Sequence, residues 1–191
     1  GDAPGPTGVV LWFKIIDGPG SGDDIAEAVR VDPNTSDIVV SGTVEVSAGN
    51  NDFFLIRYDS AGNKIWEKQL QRVDNDDHVT VMDMDVSGNV SVAGNTDTVD
   101  AIDVLAVKYD HDGNILGGTQ YTGPGDNIDD AWAITTNRYG EFYVAGYSET
   151  VNGDFDYLVM QCLGDVIQAP SPLTATAHYT SVDLAWTDNS L

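Results

Sequence analysis

Apolar and polar residues alternate in short runs along most of the chain, and each run is bounded by Gly, Asp, Asn or Ser. That period of two, with turn residues at either end, predicts β-strands rather than helices. In the first stretch the pattern predicts strands at Leu11–Ile16, Ile25–Val31, Asp37–Thr43 and Phe53–Tyr58. Ile25–Val31 alone could pass for a helix because of Ala26, Glu27 and Ala28. Its counterparts further on, Val79–Met84 and Ala131–Thr136, carry Val, Thr, Trp and Ile, which favours a strand. The fourth run leads into DSAGN (59–63) and, later, DHDGN (110–114), where Gly supplies a positive φ for a tight turn.

The pattern repeats. DIVVSG, NVSVAG and EFYVAG align without gaps and place glycines at 42, 94 and 146, two steps of 52 residues. Asp24, Asp77 and Asp129 correspond upstream, and Asp52, Asp103 and Asp156 correspond downstream, with steps between 51 and 53. A repeat of about 50 residues with four strands has the size of one β-propeller blade. Gly42, Gly94 and Gly146 each follow an apolar run, read as the end of a third strand, and precede a loop that differs from copy to copy. Two reasons for glycine stay open there: a positive φ, or the close approach of a neighbouring strand.

The residues GSGDDIAEAVRVD, DIVVSG and DFFLIRYDSAGNKIW, with NVSVAG and DVLAVKYDHDGNI after them, resemble the bacterial and archaeal β-propeller repeats known as SBBP. The resemblance spans roughly residues 10 to 166. It implies an all-β fold of about three four-stranded antiparallel blades, near 10–64, 65–115 and 116–166, after a lead-in at 1–9. It implies a scaffold and carries no catalytic residue. The third copy departs from the pattern: Leu116-Gly117-Gly118 replaces the Trp that opens a blade, and MQCLGD replaces the KYDxDGN corner, as in a terminal blade.

Residues 164–172 (GDVIQAPSP) read as a linker. The stretch after it alternates at Leu173, Ala175 and Ala177, turns, and alternates again at Val182, Leu184 and Trp186. With P-x-x-L-x-A leading to V-x-L-x-W-x-D, residues 167–191 resemble a linker and the first two strands of a fibronectin type III domain. That sandwich needs about seven strands, so the resemblance implies a fragment of a longer, multidomain protein. The opening GDAPGPTG likewise reads as a processed or excised piece.

Charge narrows the function classes. Thirty-one acidic residues against eight basic ones give a formal charge of −23. Phosphate backbones and anionic lipid surfaces would be repelled, so nucleic acid is an unfavourable partner. A salty or calcium-containing exterior suits such a chain, and halophilic adaptation is a second reading. The single cysteine, Cys162, permits no intrachain disulfide, and no apolar run reaches the length of a membrane span.

Candidate chemistry is sparse. Acidic corners at 23–24, 74–77 and 126–130 offer the oxygen ligands Ca²⁺ takes. Their recurrence at one repeat position favours a structural task, each unit turning the same corner, and none matches a calcium-loop spacing. Asp52, Asp103 and Asp156 are read the same way. Trp12 and Trp66 are expected to pack between units, with a sugar-stacking platform as the functional alternative, and Trp132 to pack in a core or between units. Cys162, in the position of Tyr58 and Tyr109, is expected to be a buried thiol. His78, His111 and His178 share no repeat position, and no nucleophile elbow, metal motif or phosphate loop occurs. The sequence therefore predicts no catalytic, cofactor-binding or metal-binding residue. It predicts a non-catalytic structural or interaction module of a secreted or cell-surface protein, within a larger surface or filamentous assembly. The expected partners are proteins, or further copies or parts of the same chain that complete the propeller. Glycan binding, as an accessory module of a secreted hydrolase, is the alternative.

Overall fold

A computed structural model describes residues 8–70, 72, 76–98, 101–125 and 127–162, and the backbone of 174–177 and 182–185. The described residues hold thirteen strands and no helix. Three antiparallel sheets account for eleven of them. The first is β1 (Ile25–Val31), β2 (Ile38–Ser47), β3 (Asn50–Tyr58) and β4 (Lys64–Leu70), in that order. The second is β5 (Asp77–Met84), β6 (Val90–Asp97), β7 (Ile102–Tyr109) and β8 (Ile115–Tyr121). The third contains β9 (Asp129–Thr136), β10 (Phe142–Glu149) and β11 (Phe155–Cys162), with β11 at its edge. A separate antiparallel pair joins β12 (Thr174–Ala177) to β13 (Val182–Ala185), where the sequence predicted two strands. Leu173, Trp186 and the linker lie outside the described residues.

Three details differ from the sequence reading. First, the strand carrying Trp66 pairs with β3, with Arg57 opposite Trp66, so it closes the first sheet instead of opening the second unit. The sheets accordingly span 25–70, 77–121 and 129–162. Second, Leu11–Ile16 forms no strand and pairs with none of the described strands. Third, the repeat glycines sit inside β2, β6 and β10 and do not end them.

Those glycines have a single cause. None of the three has a positive φ. Opposite each, the first strand of the sheet slips register, between Ala26 and Ala28, between Val79 and Val81, and between Ala131 and Ala133. The bulge drives a carbonyl of that first strand toward the glycine: Ile25 O at Gly42, His78 O at Gly94, Asp130 O at Gly146. Close approach, not backbone conformation, excludes a Cβ. Positive φ falls instead at turn glycines, among them Gly62 and Gly113 in the turns after β3 and β7. There Asp59 accepts from the Ala61 and Asn63 amides and the Asn63 side chain, and Asp110 repeats the arrangement with Asp112 and Asn114.

The sheets stack through their apolar faces. Val39, Phe53 and Leu55 of the first meet Val79, Met82, Val90 and Val92 of the second. Ala93, Val104 and Ala106 of the second meet Ala131, Phe142, Val144 and Leu158 of the third.

Candidate functional site

Each stacking junction is tied at one end by a buried cation. Arg57 in β3 is fully buried and pairs with Asp32 and, at 3.0 Å, with Asp37; its Nη1 also donates to the His111 carbonyl in the next sheet's turn. Lys108 holds the same repeat position in β7, 3.2 Å from Asp85, and donates to the Gly140 carbonyl of the third sheet at 2.6 Å. Burial would raise the Asp32 carboxyl, but the Asn34 amide and the Arg57 guanidinium outweigh it and hold the group below the ordinary carboxylate range.

The other end of each junction holds paired carboxylates. Ile102 bridges Ile128 in parallel register, which sets Asp103 beside Asp129. Asn51 likewise donates from its amide and side chain to Asp76, which sets Asp52 beside Asp77. All four acids of these pairs are buried. Asp52 and Asp103 accept from Gln69 and Gln120, pinning the fourth strand of each sheet. Burial pushes the Asp52 carboxyl up. Asp77 is raised by burial too, with Asp52 and Asp76 adding to the rise, although Thr96 and Arg72 partly oppose it. The recurrent acidic corners also tie loops down: Asp24 accepts from Gly18 and Glu45 amides, and Asp129 from the Gly123 amide.

The tryptophans divide. Trp66 donates from Nε1 to the His111 carbonyl at 2.9 Å and packs on the Gly113 corner. Trp12 repeats this one unit earlier: its Nε1 faces the Ser60 carbonyl at 3.4 Å, its ring lies over the Gly62 corner, and it meets Tyr58 in a tilted pair at 5.8 Å. Trp132, expected in a core or between units, is instead 66% exposed, because none of the described sheets covers it. It meets Tyr147 edge-on at 5.7 Å, Tyr147 meets Phe155 at 5.0 Å, and its Nε1 donates to Asp130.

Cys162 is buried, and burial pushes its thiol up, away from the thiolate a nucleophile needs. His78 lies 3.2 Å from Asp76 in β5 and His111 3.3 Å from Asp112 in the β7–β8 turn, in separate places. His178 is outside the described residues, as are Asp74 and Asp126.

The two ends of the stack are open. Phe53 and Val104 occupy one repeat position and are 0% exposed, because the following sheet covers them; Tyr157, in the same position of β11, is 85% exposed. Leu55 and Ala106 are likewise covered, whereas Val159 is 59% exposed. At the opposite end Met82 is 1% exposed while its counterpart Val29 in β1 is 55% exposed. Sequence reasoning missed Tyr157 and Val159, although the repeat alignment carried the signal: their counterparts are core residues. No family model and no curated protein matches the chain.

Proposed function

We propose that the chain is a non-catalytic structural or interaction module of a secreted or cell-surface protein, built from β-propeller-type blades of the SBBP kind and followed by the start of a fibronectin type III domain. One observation carries the reading: the third sheet exposes, at Tyr157 and Val159, the positions that the first two sheets bury against a neighbour. A contiguous apolar face of that kind is a contact surface. The buried, raised thiol of Cys162 and the separation of His78 from His111 support a role without covalent or acid–base chemistry. The charge of −23 supports an extracellular protein or peptide partner over a polyanion.

The alternative, a carbohydrate-binding accessory module, rests on the exposed aromatic group at Trp132, Tyr147 and Phe155, not on Trp12 or Trp66, whose rings are occupied by glycine corners. Titration of the protein with soluble polysaccharides, followed by tryptophan fluorescence and calorimetry, tests the choice. No saturable signal is expected. Saturable binding that disappears in Trp132→Ala would replace the scaffold reading with the carbohydrate one.

A further inference from the structure

The third sheet lacks a fourth strand among the described residues, and one segment of the chain carries the fittings of a fourth strand without belonging to a sheet. In the first sheet β4 pairs with β3, Arg57 opposite Trp66, Leu55 opposite Lys68 and Phe53 opposite Leu70. The strand then lies against the next sheet, where Trp66 plugs the Gly113 corner and donates to His111. The segment 10–16 carries the same equipment. Trp12 plugs the equivalent corner at Gly62 and faces the equivalent carbonyl, that of Ser60. It therefore sits on the first sheet as β4 sits on the second, yet no β3-like strand runs beside it.

Its remaining side chains lack cover. Leu11, Phe13 and Ile15 are exposed, and a cleft of ≈ 420 Å³ lined by Trp12, Ile16, Ile25, Val40 and Phe54 separates the segment from the first sheet. The edge able to receive such a strand is the outer side of β11, whose counterparts β3 and β7 each carry one. The ten residues that follow Cys162, LGDVIQAPSP, contain neither the D-x-x-G-N corner nor a tryptophan, and Pro170 stands at the repeat position of Trp66.

Resting on the propeller reading above, we infer that two copies of this chain exchange these segments: residues 10–16 of each complete the third sheet of the other, closing a two-fold ring. The partner is a second copy because the donated strand and the acceptor edge belong to one repeat, and both open ends present the surfaces that stack on each other inside the chain. The three described repeat sheets of each copy make six, within the roughly four to eight blades that close a propeller. A head-to-tail contact that closes on itself leaves no free edge. By repeat position the register pairs Gln161 with Trp12, Val159 with Lys14 and Tyr157 with Ile16.

Sedimentation and small-angle scattering of the full chain at micromolar concentration test the ring. A compact dimer is expected. Tyr157→Asp, which alters a side chain exposed in the single chain, is expected to weaken dimerisation by at least about a hundredfold, while the far-ultraviolet circular dichroism stays unchanged. In a Cys162→Ala background, Ile16→Cys with Tyr157→Cys is expected to give a disulfide-linked dimer under mild oxidation, whereas Ile16→Cys with Val151→Cys is not. A monodisperse monomer with an unchanged β spectrum, a dimer unaffected by Tyr157→Asp or without the 16–157 cross-link, or an open-ended polymer would each overturn the inference. None of these outcomes touches the polysaccharide result, so the scaffold reading stands or falls separately.

Discussion

Replacing Gly94 by alanine places a methyl group between β6 and β5, where β5 bulges. The added Cβ would lie 2.9 Å from the His78 carbonyl carbon and 3.0 Å from the Thr80 nitrogen, with the His78 carbonyl oxygen closer still. All three are backbone atoms, so no rotamer change relieves the clash. Ordinary carbon contacts lie at about 3.5–4.0 Å, and β5 must retreat by about 1 Å. That retreat stretches the ladder on both sides of the bulge, from Asp77–Thr96 to Met82–Val92. It also pulls Val79 and Met82 from the core they share with the first sheet. Weakening about three ladder hydrogen bonds at roughly 1 kcal/mol each gives a loss of about 3 kcal/mol. For a chain of this length that corresponds to about 6–12 °C in Tm, and Gly94→Val should cost no less. Gly49→Ala is the control for the other kind of glycine. Gly49 has a φ of +76° and nothing near its Cβ position, so alanine there costs only the left-handed backbone term of about 1–2 kcal/mol. Urea unfolding of both variants is the assay. A Gly94→Ala protein as stable as the parent would mean that the bulge is not rigid and that close approach does not explain the glycine.

Arg57→Ala strands Asp32 and Asp37 in the core and should destabilise by about 3–5 kcal/mol in chemical denaturation; Arg57→Lys, matching Lys108 in the second sheet, should recover part of the loss. Asp77 titrates above its unfolded value, so its ionisation opposes folding at pH 7 and the opposition fades as pH falls toward about 4. Asp77→Asn should therefore raise Tm at pH 7 and lose that gain near pH 4; a gain independent of pH would refute the account. Asp32 has the opposite sign: its stabilisation is full above the unfolded value of 3.8 and is lost as pH falls through the lower folded value, so Asp32→Asn should be most damaging near neutrality. Cys162, buried with a raised thiol, should react with a thiol reagent only at the rate of opening, and urea should accelerate the reaction steeply.

Much of the fold was written in local pattern. Alternation and the 52-residue glycine spacing located the strands after Ile25, since a half-buried strand must alternate and each corner must be turned alike. Sheet membership was less legible. Trp66 opens a run after a turn, and only its pairing with Arg57 shows that the run belongs with what precedes it. The glycines were read as strand ends because a polar loop follows, whereas the bulge opposite them is a property of two strands and leaves no mark on one. Trp132 looked like a core or inter-unit residue because its neighbours are alanines; what decides its exposure is that none of the described sheets covers it. The open ends were legible only by comparison between copies, where Tyr157 stands in the place of Phe53 and Val104.

The buried ties also say how the three units could have diverged from one another. Arg57 faces Asp32, Lys108 faces Asp85, and at the same two positions of the third sheet stand Gln161 and Asn137. Cation and anion have been exchanged together for a pair of neutral amides, and neither has been left alone. A lone buried charge is the costly intermediate between those states, so these two positions drift as a couple and set a barrier to single-step change. A unit copied or transplanted from this chain should carry both members, and a designer extending the array should choose the couple, not the residue.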